Sequence, residues 1–227
     1  MELTDSTITI HGNASRLMEP EKTIITIAFK HTYTDYLKAC KALETNQKTI
    51  YETADANHID RKHVTTASYS ITKEEVSLRD KNNNYTGKKL LGYSLSQSIT
   101  ITIGMDNQLM TDLLNGIIGR NPEAEISISY GLNDTTVVKD ELLAEAVRNA
   151  RRQAVCMAMA AGCKLGKVLQ ISDNSHFSDE DRFSTSILPA GLGLKVPKGR
   201  AFEEPLEANP RTITLSQLVT VIWKLEE

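Results

Sequence analysis

Cysteine is scarce: Cys40, Cys156 and Cys163 are the only three in 227 residues. An odd number with no Cys-x-x-Cys pair excludes a disulfide framework and a zinc ribbon. Cys156 and Cys163 fall on one predicted helix about two turns apart, too far for a disulfide within a straight helix. All three therefore read as small apolar core residues. Long apolar runs are missing too, and none approaches the ~20 residues of a membrane-spanning helix. The opening Met1-Glu2-Leu3-Thr4-Asp5 has neither a basic nor an apolar stretch. As it stands the chain reads as cytoplasmic, with an exported or cell-envelope location as the alternative if a leader was removed. Charge of one sign is also lacking. A net charge of −3 provides no basic surface, which argues against a nucleic-acid partner and against anionic membranes.

Catalytic and metal signatures are equally sparse. The five histidines, His11, His31, His58, His63 and His176, have no HExxH or Cys/His spacing, so they read as surface or strand-end residues. There is no Gly-x-Ser-x-Gly. Gly162-Cys163-Lys164-Leu165-Gly166-Lys167-Val168 fails as a phosphate loop. Its glycines are one residue too close, Val168 stands where a magnesium-holding hydroxyl belongs, and it follows a helix instead of opening one. It reads instead as a helix end, with Gly162 in the left-handed position. Gly191-Leu-Gly-Leu is half a dinucleotide fingerprint in the wrong context. Glu74 and Glu75 are adjacent on a strand, so they point to opposite faces and do not converge on one substrate. Arg148, Arg151 and Arg152 read as a solvated face balanced by Asp140, Glu141 and Glu145 one or two turns earlier. No catalytic, cofactor-binding or metal residue is identified, and no cofactor is expected.

What is present is alternation. In Leu91–Ile103 the odd positions are apolar save Gln97, and the even ones are Gly92, Ser94, Ser96, Ser98, Thr100 and Thr102. This is a strand with one buried and one polar face. The segment 213–225 repeats the pattern, with Ile213, Leu215, Val219, Val221 and Trp223 on one side. Shorter strands are predicted at Thr7–Ile10, around Ile25–Phe29, at Ala67–Ile71, around Ile126–Tyr130 and at Val168–Ile171. Helices are predicted over about Asp35–Ala56, from a cap at Asp106 to Gly119, and over Asp134–Gly162. Their apolar stripes are Leu37, Cys40, Leu43, Ile50 and Ala54; Leu109, Met110, Leu113, Leu114, Ile117 and Ile118; and Leu143, Val147, Ala150, Ala154, Met157 or Ala158, and Ala161. Asp80–Gly87 reads as a hairpin tip, and 174–210 as a mobile loop.

The expected fold is α+β. It is one mixed, mainly antiparallel sheet of long strands with helices packed on one face, containing a ferredoxin-like β-α-β-β-α-β unit. It forms a single domain over 1–227. The other sheet face carries serine and threonine. It reads either as a solvated face or as a platform covered by a ligand or another subunit.

Ala150–Ser172 has an alanine-rich helix running into Gly162-Cys-Lys-Leu-Gly-Lys-Val168. Together with Ile8-Thr-Ile-His-Gly-Asn-Ala14, Glu19-Pro20 and Gly92-Tyr93 leading into Ile99–Ile103, it resembles the SIMPL-domain family over nearly the whole chain. The resemblance implies an α+β fold and kinship with bacterial proteins called oxidative stress defence and periplasmic immunogenic proteins, many of them exported. The family has no established catalytic residues to carry over. The expectation is a non-enzymatic homo-oligomeric assembly or interaction protein, linked to stress defence, with a protein or peptide partner. The alternative is a binding module for a peptide, an envelope component or a small ligand on the Ser/Thr face.

Overall fold

A computed structural model describes residues 6–79, 81–174, 183–186 and 202–226. The hairpin residue Asp80, His176, Gly191-Leu-Gly-Leu and most of the predicted 174–210 loop lie outside them. The chain is α+β and divides into two compact units, residues 1–20, 131–183 and 211–227 in one, and 21–130 and 184–210 in the other. The strands fall into two antiparallel sheets instead of the one expected sheet. Alternation shows that a segment is a strand and which side is apolar, but it does not name the neighbouring strand.

The first unit holds β1 (Thr7–Met18), β6 (Lys164–Asp173) and β8 (Ile213–Glu226) in the order β1-β8-β6, with α3 (Thr136–Ala160) packed on one face. Its core is Ile10, Ala14, Leu215, Val219, Val221 and Trp223 from the sheet against the helix stripe Leu142, Ala146, Ala150, Ala154 and Ala158. The predicted stripe was one residue late at its start: Leu143 and Val147 flank the contact, and Leu142 and Ala146 make it. Small residues let the helix lie close. At Gly12 an added Cβ would sit 2.2 Å from the Ala146 carbonyl oxygen and 2.6 Å from Ala150 Cβ. The helix ends as expected, with Gly162 at φ +75 and the Cys163 N–H donating to the Ala158 carbonyl at 2.9 Å.

The second unit contains β2 (Lys22–Tyr33), α1 (Tyr36–Ala56), a 3-10 turn (Arg61–His63), β3 (Val64–Arg79), β4 (Tyr85–Gly104), α2 (Asn107–Arg120) and β5 (Glu125–Gly131). Together with β7 (Phe183–Ser186), its strands form a sheet in the order β3-β4-β2-β5-β7. Ile25, Ile27, Ile99, Ile101 and Ile128 pack with Ile50, Met110, Leu113 and Ile117 of the two helices. Asp35 and Asp106 cap α1 and α2, accepting from the N–H groups of Leu37 at 2.7 Å and Leu109 at 2.9 Å.

Several predicted core positions fail in this unit, among them Leu91, 54 % exposed at a register shift in β4. Leu37 is 68 % exposed, while Ala39 is buried in its place. A bulge at Ala67 breaks the expected Ala67-Tyr69-Ile71 face, and Tyr69 stays exposed because β3 is an edge strand.

Candidate interaction surfaces

The polar face of the second unit is built by register. Antiparallel pairing places Thr26, Thr100 and Thr65 in one row, then Ala28, Ser98 and Ser68, then Lys30, Ser96 and Ser70, then Thr32, Ser94 and Thr72. Opposed residues lie on the same side of a sheet, so these rows form a three-strand array of hydroxyl groups, broken only by Ala28 and Lys30 of β2, opposite the helix-covered face. Rows are ~4.8 Å apart across strands and ~7 Å apart along them. Thr32 donates to Glu74 Oε2 at 3.3 Å at the end of the array.

In the first unit the sheet face opposite α3 is also polar. Thr9, His11, Asn13 and Ser15 of β1 stand opposite Ile222, Thr220, Leu218 and Ser216 of β8, with Gln170 and Ser172 of β6 alongside. Here His11 Nδ1 is 2.8 Å from Thr220 Oγ1, which also accepts from Asn174 Nδ2. No carboxylate lies within 4 Å of His11 among the described residues, so the imidazole lacks the orienting group that a nucleophile–base pair needs.

The third surface is the hairpin of β3 and β4, with 16 and 20 residues. Its ladder runs out to the Arg79–Tyr85 pair. From Glu74 outward, past the end of β2, this is about 20 Å of two-stranded ribbon, almost entirely exposed. Val76 and Leu78 lie on one face, Tyr85 and Leu90 on the other, all 42–60 % exposed. Lys88 pairs with Glu75 at 3.3 Å across the strands. The tip turns as predicted, through Asn83 at φ 65. The run Tyr85–Leu90 was not predicted as strand, because Lys88 and Lys89 interrupt the alternation.

The remaining candidates scatter. Cys156 is exposed, and Cys40 and Cys163 are half-buried, so the expected core placement of the thiols is corrected. They sit on surface-facing turns of α1 and α3 and just past the end of α3, away from the buried stripes. His63 is in the 3-10 turn and His58 precedes it in a left-handed conformation (φ 57). Among the described residues no three His, Cys, Asp or Glu side chains group as metal ligands. The expected helix ion pairs also differ: Glu141 binds Arg16 of β1 at 2.8 Å, and none of Arg148, Arg151 and Arg152 comes within 4 Å of a carboxylate among the described residues.

Among the described residues, perturbed titration follows hydrogen bonding and burial. Asp60 and Asp134 are held below the usual carboxylate range, chiefly by the backbone N–H groups of Lys62 and Thr136. The Tyr130 hydroxyl is pushed up by burial, and that of Tyr33 by burial and then by Glu123.

These features define an α+β protein whose sheets each present a polar face, with a long exposed hairpin in the second unit. A model of the SIMPL family, described as a protein of unknown function (DUF541), matches residues 8–223, and the chain belongs to that family. No curated protein matches it. No described helix is long and apolar enough to cross a membrane.

Proposed function

We propose that the protein is a non-enzymatic assembly protein, a single SIMPL domain over 1–227 that forms a homo-oligomer through its β3–β4 hairpin. The observation that carries this reading is the ribbon itself. A two-stranded hairpin is marginally stable alone in water, and large apolar side chains exposed on both faces mark a surface meant to be covered. The outer edge of β3, which pairs with no other strand among the described residues, offers main-chain groups to a further strand. A link to stress defence rests on family kinship alone.

Light scattering behind a sizing column tests the reading. The native chain should elute as a defined multiple of 25.2 kDa. A double variant, Leu78→Lys and Leu90→Lys, changes one residue on each ribbon face. It should elute as the monomer with an unchanged melting temperature, since both side chains are exposed in the monomer. A monomeric native protein at micromolar concentration sinks the proposal.

The second reading, a module for a peptide, an envelope component or a small ligand, is favoured by the hydroxyl array. It requires that binding be lost when Ser96 and Ser98 are replaced together by valine.

A further inference from the structure

The second unit contains a cleft of about 300 Å³ at the outgoing end of β2 and the α2–β5 turn. That volume is at the small end of ligand pockets, which run ~300–1,000 Å³. Its buried wall is apolar, formed by Phe29, Leu95 and Ala124. Its polar lining is rich in donors: Arg120, Asn121 and Tyr33. The one carboxylate in the lining, Glu123, stands 3.8 Å from His31 Nδ1.

Two groups here lack partners. Asn121 Nδ2 is buried and makes no hydrogen bond. Gln97 is 1 % exposed, and neither its Oε1 nor its Nε2 has a partner. Gln97 lies across the ladder from Phe29 and two residues from Leu95 on the same face, so it borders the cleft wall. Buried polar groups are almost always satisfied, and an orphan calls for a water, an ion or a ligand. Arg120 is loosely held as well, 3.9 Å from Glu52 Oε2 and 3.3 Å from Thr53 Oγ1. Tight charge-assisted bonds are nearer ~2.8 Å, and a guanidinium has five N–H donors to place.

We propose that this cleft binds a small organic anion, its carboxylate or phosphate accepting from Asn121 Nδ2 and Arg120 and its apolar body lying on Phe29, Leu95 and Ala124. The donor set selects for charge and the wall for an unbranched or aromatic body. The site is independent of the assembly proposed above, since it uses none of the hairpin residues beyond Leu95.

The test titrates the full chain with benzoate, phenyl phosphate and uncharged benzamide, followed by amide chemical shifts. One of the two anions should bind at least tenfold more tightly than benzamide, with shifts concentrated at 29–33 and 120–124; which of the two does so identifies the anionic group. Asn121→Ala keeps the backbone N–H bond to the Ile117 carbonyl, and Arg120→Gln changes a part-exposed side chain. Each should weaken anion binding about tenfold, the factor expected for one lost hydrogen bond to a charged group, while the spectrum of the free protein stays folded. The proposal is overturned if neither anion binds at millimolar concentration, if benzamide binds equally, or if both variants bind as the native chain does.

Discussion

Replacing Gly12 by alanine tests the close packing of β1 on α3. In a strand, Gly→Ala ordinarily stabilises by ~0.4–1 kcal/mol, because the unfolded chain loses freedom. Here the sign should reverse. The new methyl would lie 2.2 Å from the Ala146 carbonyl oxygen, 2.6 Å from Ala150 Cβ and 3.0 Å from Ala150 N. Two of these three atoms are backbone, and the third is a methyl with no rotamer to change. Ordinary contact begins near ~3.5 Å, so helix and strand must separate by about 1 Å. The whole alanine stripe would then loosen, since Ala146, Ala150 and Ala154 are each fully buried. Overpacking of this kind costs ~1–3 kcal/mol and occasionally more, and here the helix contacts on either side add to it. A net loss of about 2–4 kcal/mol is expected.

The chain carries its own reporter. Trp223 is the single tryptophan, 3 % exposed in β8 and paired with Ile8 and Val168, so its fluorescence reports on the core of this unit. At a urea slope of ~2 kcal/mol/M the midpoint should fall by about 1–2 M. Ser15→Ala, on the exposed face of the same strand, should move it by less than ~0.5 kcal/mol. A midpoint for Gly12→Ala equal to or above the native one would refute the contact.

Four further outcomes are expected. Ile101→Asp and Val221→Asp bury an unpaired charge at fully buried positions and should each cost more than ~3 kcal/mol in a denaturant melt. Thr100→Asp, opposite the helix-covered face, should cost far less, and equal effects would mean that both faces are buried. Gln97→Leu removes an amide with no partners and should raise the thermal midpoint, by up to about 1–2 kcal/mol in stability; a clear loss would mean that the amide is satisfied in solution. Asp134 accepts the Thr136 N–H, so its folded pKa is depressed: its stabilisation is present above the ordinary value of 3.8 and is lost as pH falls through the lower folded value. A carboxyl-carbon titration by NMR should place its midpoint below 3.8.

Much of this architecture is visible in local sequence. The odd–even split of Leu91–Ile103 gave the right buried face from Leu95 to Ile103, because side chains on a strand alternate whatever the strand pairs with; it failed at Leu91, 54 % exposed where the register shifts. Asp35 and Asp106 announced helix starts by the same local logic. Pairing is a different kind of information: β8 sits between β1 and β6, and no property of 213–225 names those neighbours. Ala67 looked like a face residue, but one extra residue in a ladder changes the parity of everything beyond it. The cleft was invisible because its walls come from 29–33, Asn46, Leu95 and 120–124. One trace of it was legible, since Gln97 stood out as the single polar residue on an apolar face.

The chain leaves the second unit after Tyr130 and returns for 184–210, which leads to a last prediction. The returning segment is stitched to α2 by side chains. Asn115 donates from Nδ2 to the Phe202 carbonyl at 3.0 Å and accepts the Phe202 N–H on Oδ1 at 2.9 Å, as a neighbouring strand would. Thr111, itself 2 % exposed, accepts the Leu206 N–H at 2.9 Å. These bonds hold Phe202, Leu206 and Ala208 against the core of that unit. Thr111→Val keeps the shape and leaves one N–H unpaired, a cost of ~1–3 kcal/mol. Asn115→Leu leaves two main-chain groups unpaired and should cost more. Because all of these contacts lie within one unit, Trp223 fluorescence should report no change while circular dichroism shows a lowered first transition. A matched drop in both signals would mean that the two units unfold as one, and the reading of 202–208 as a strap on α2 alone would have to be given up.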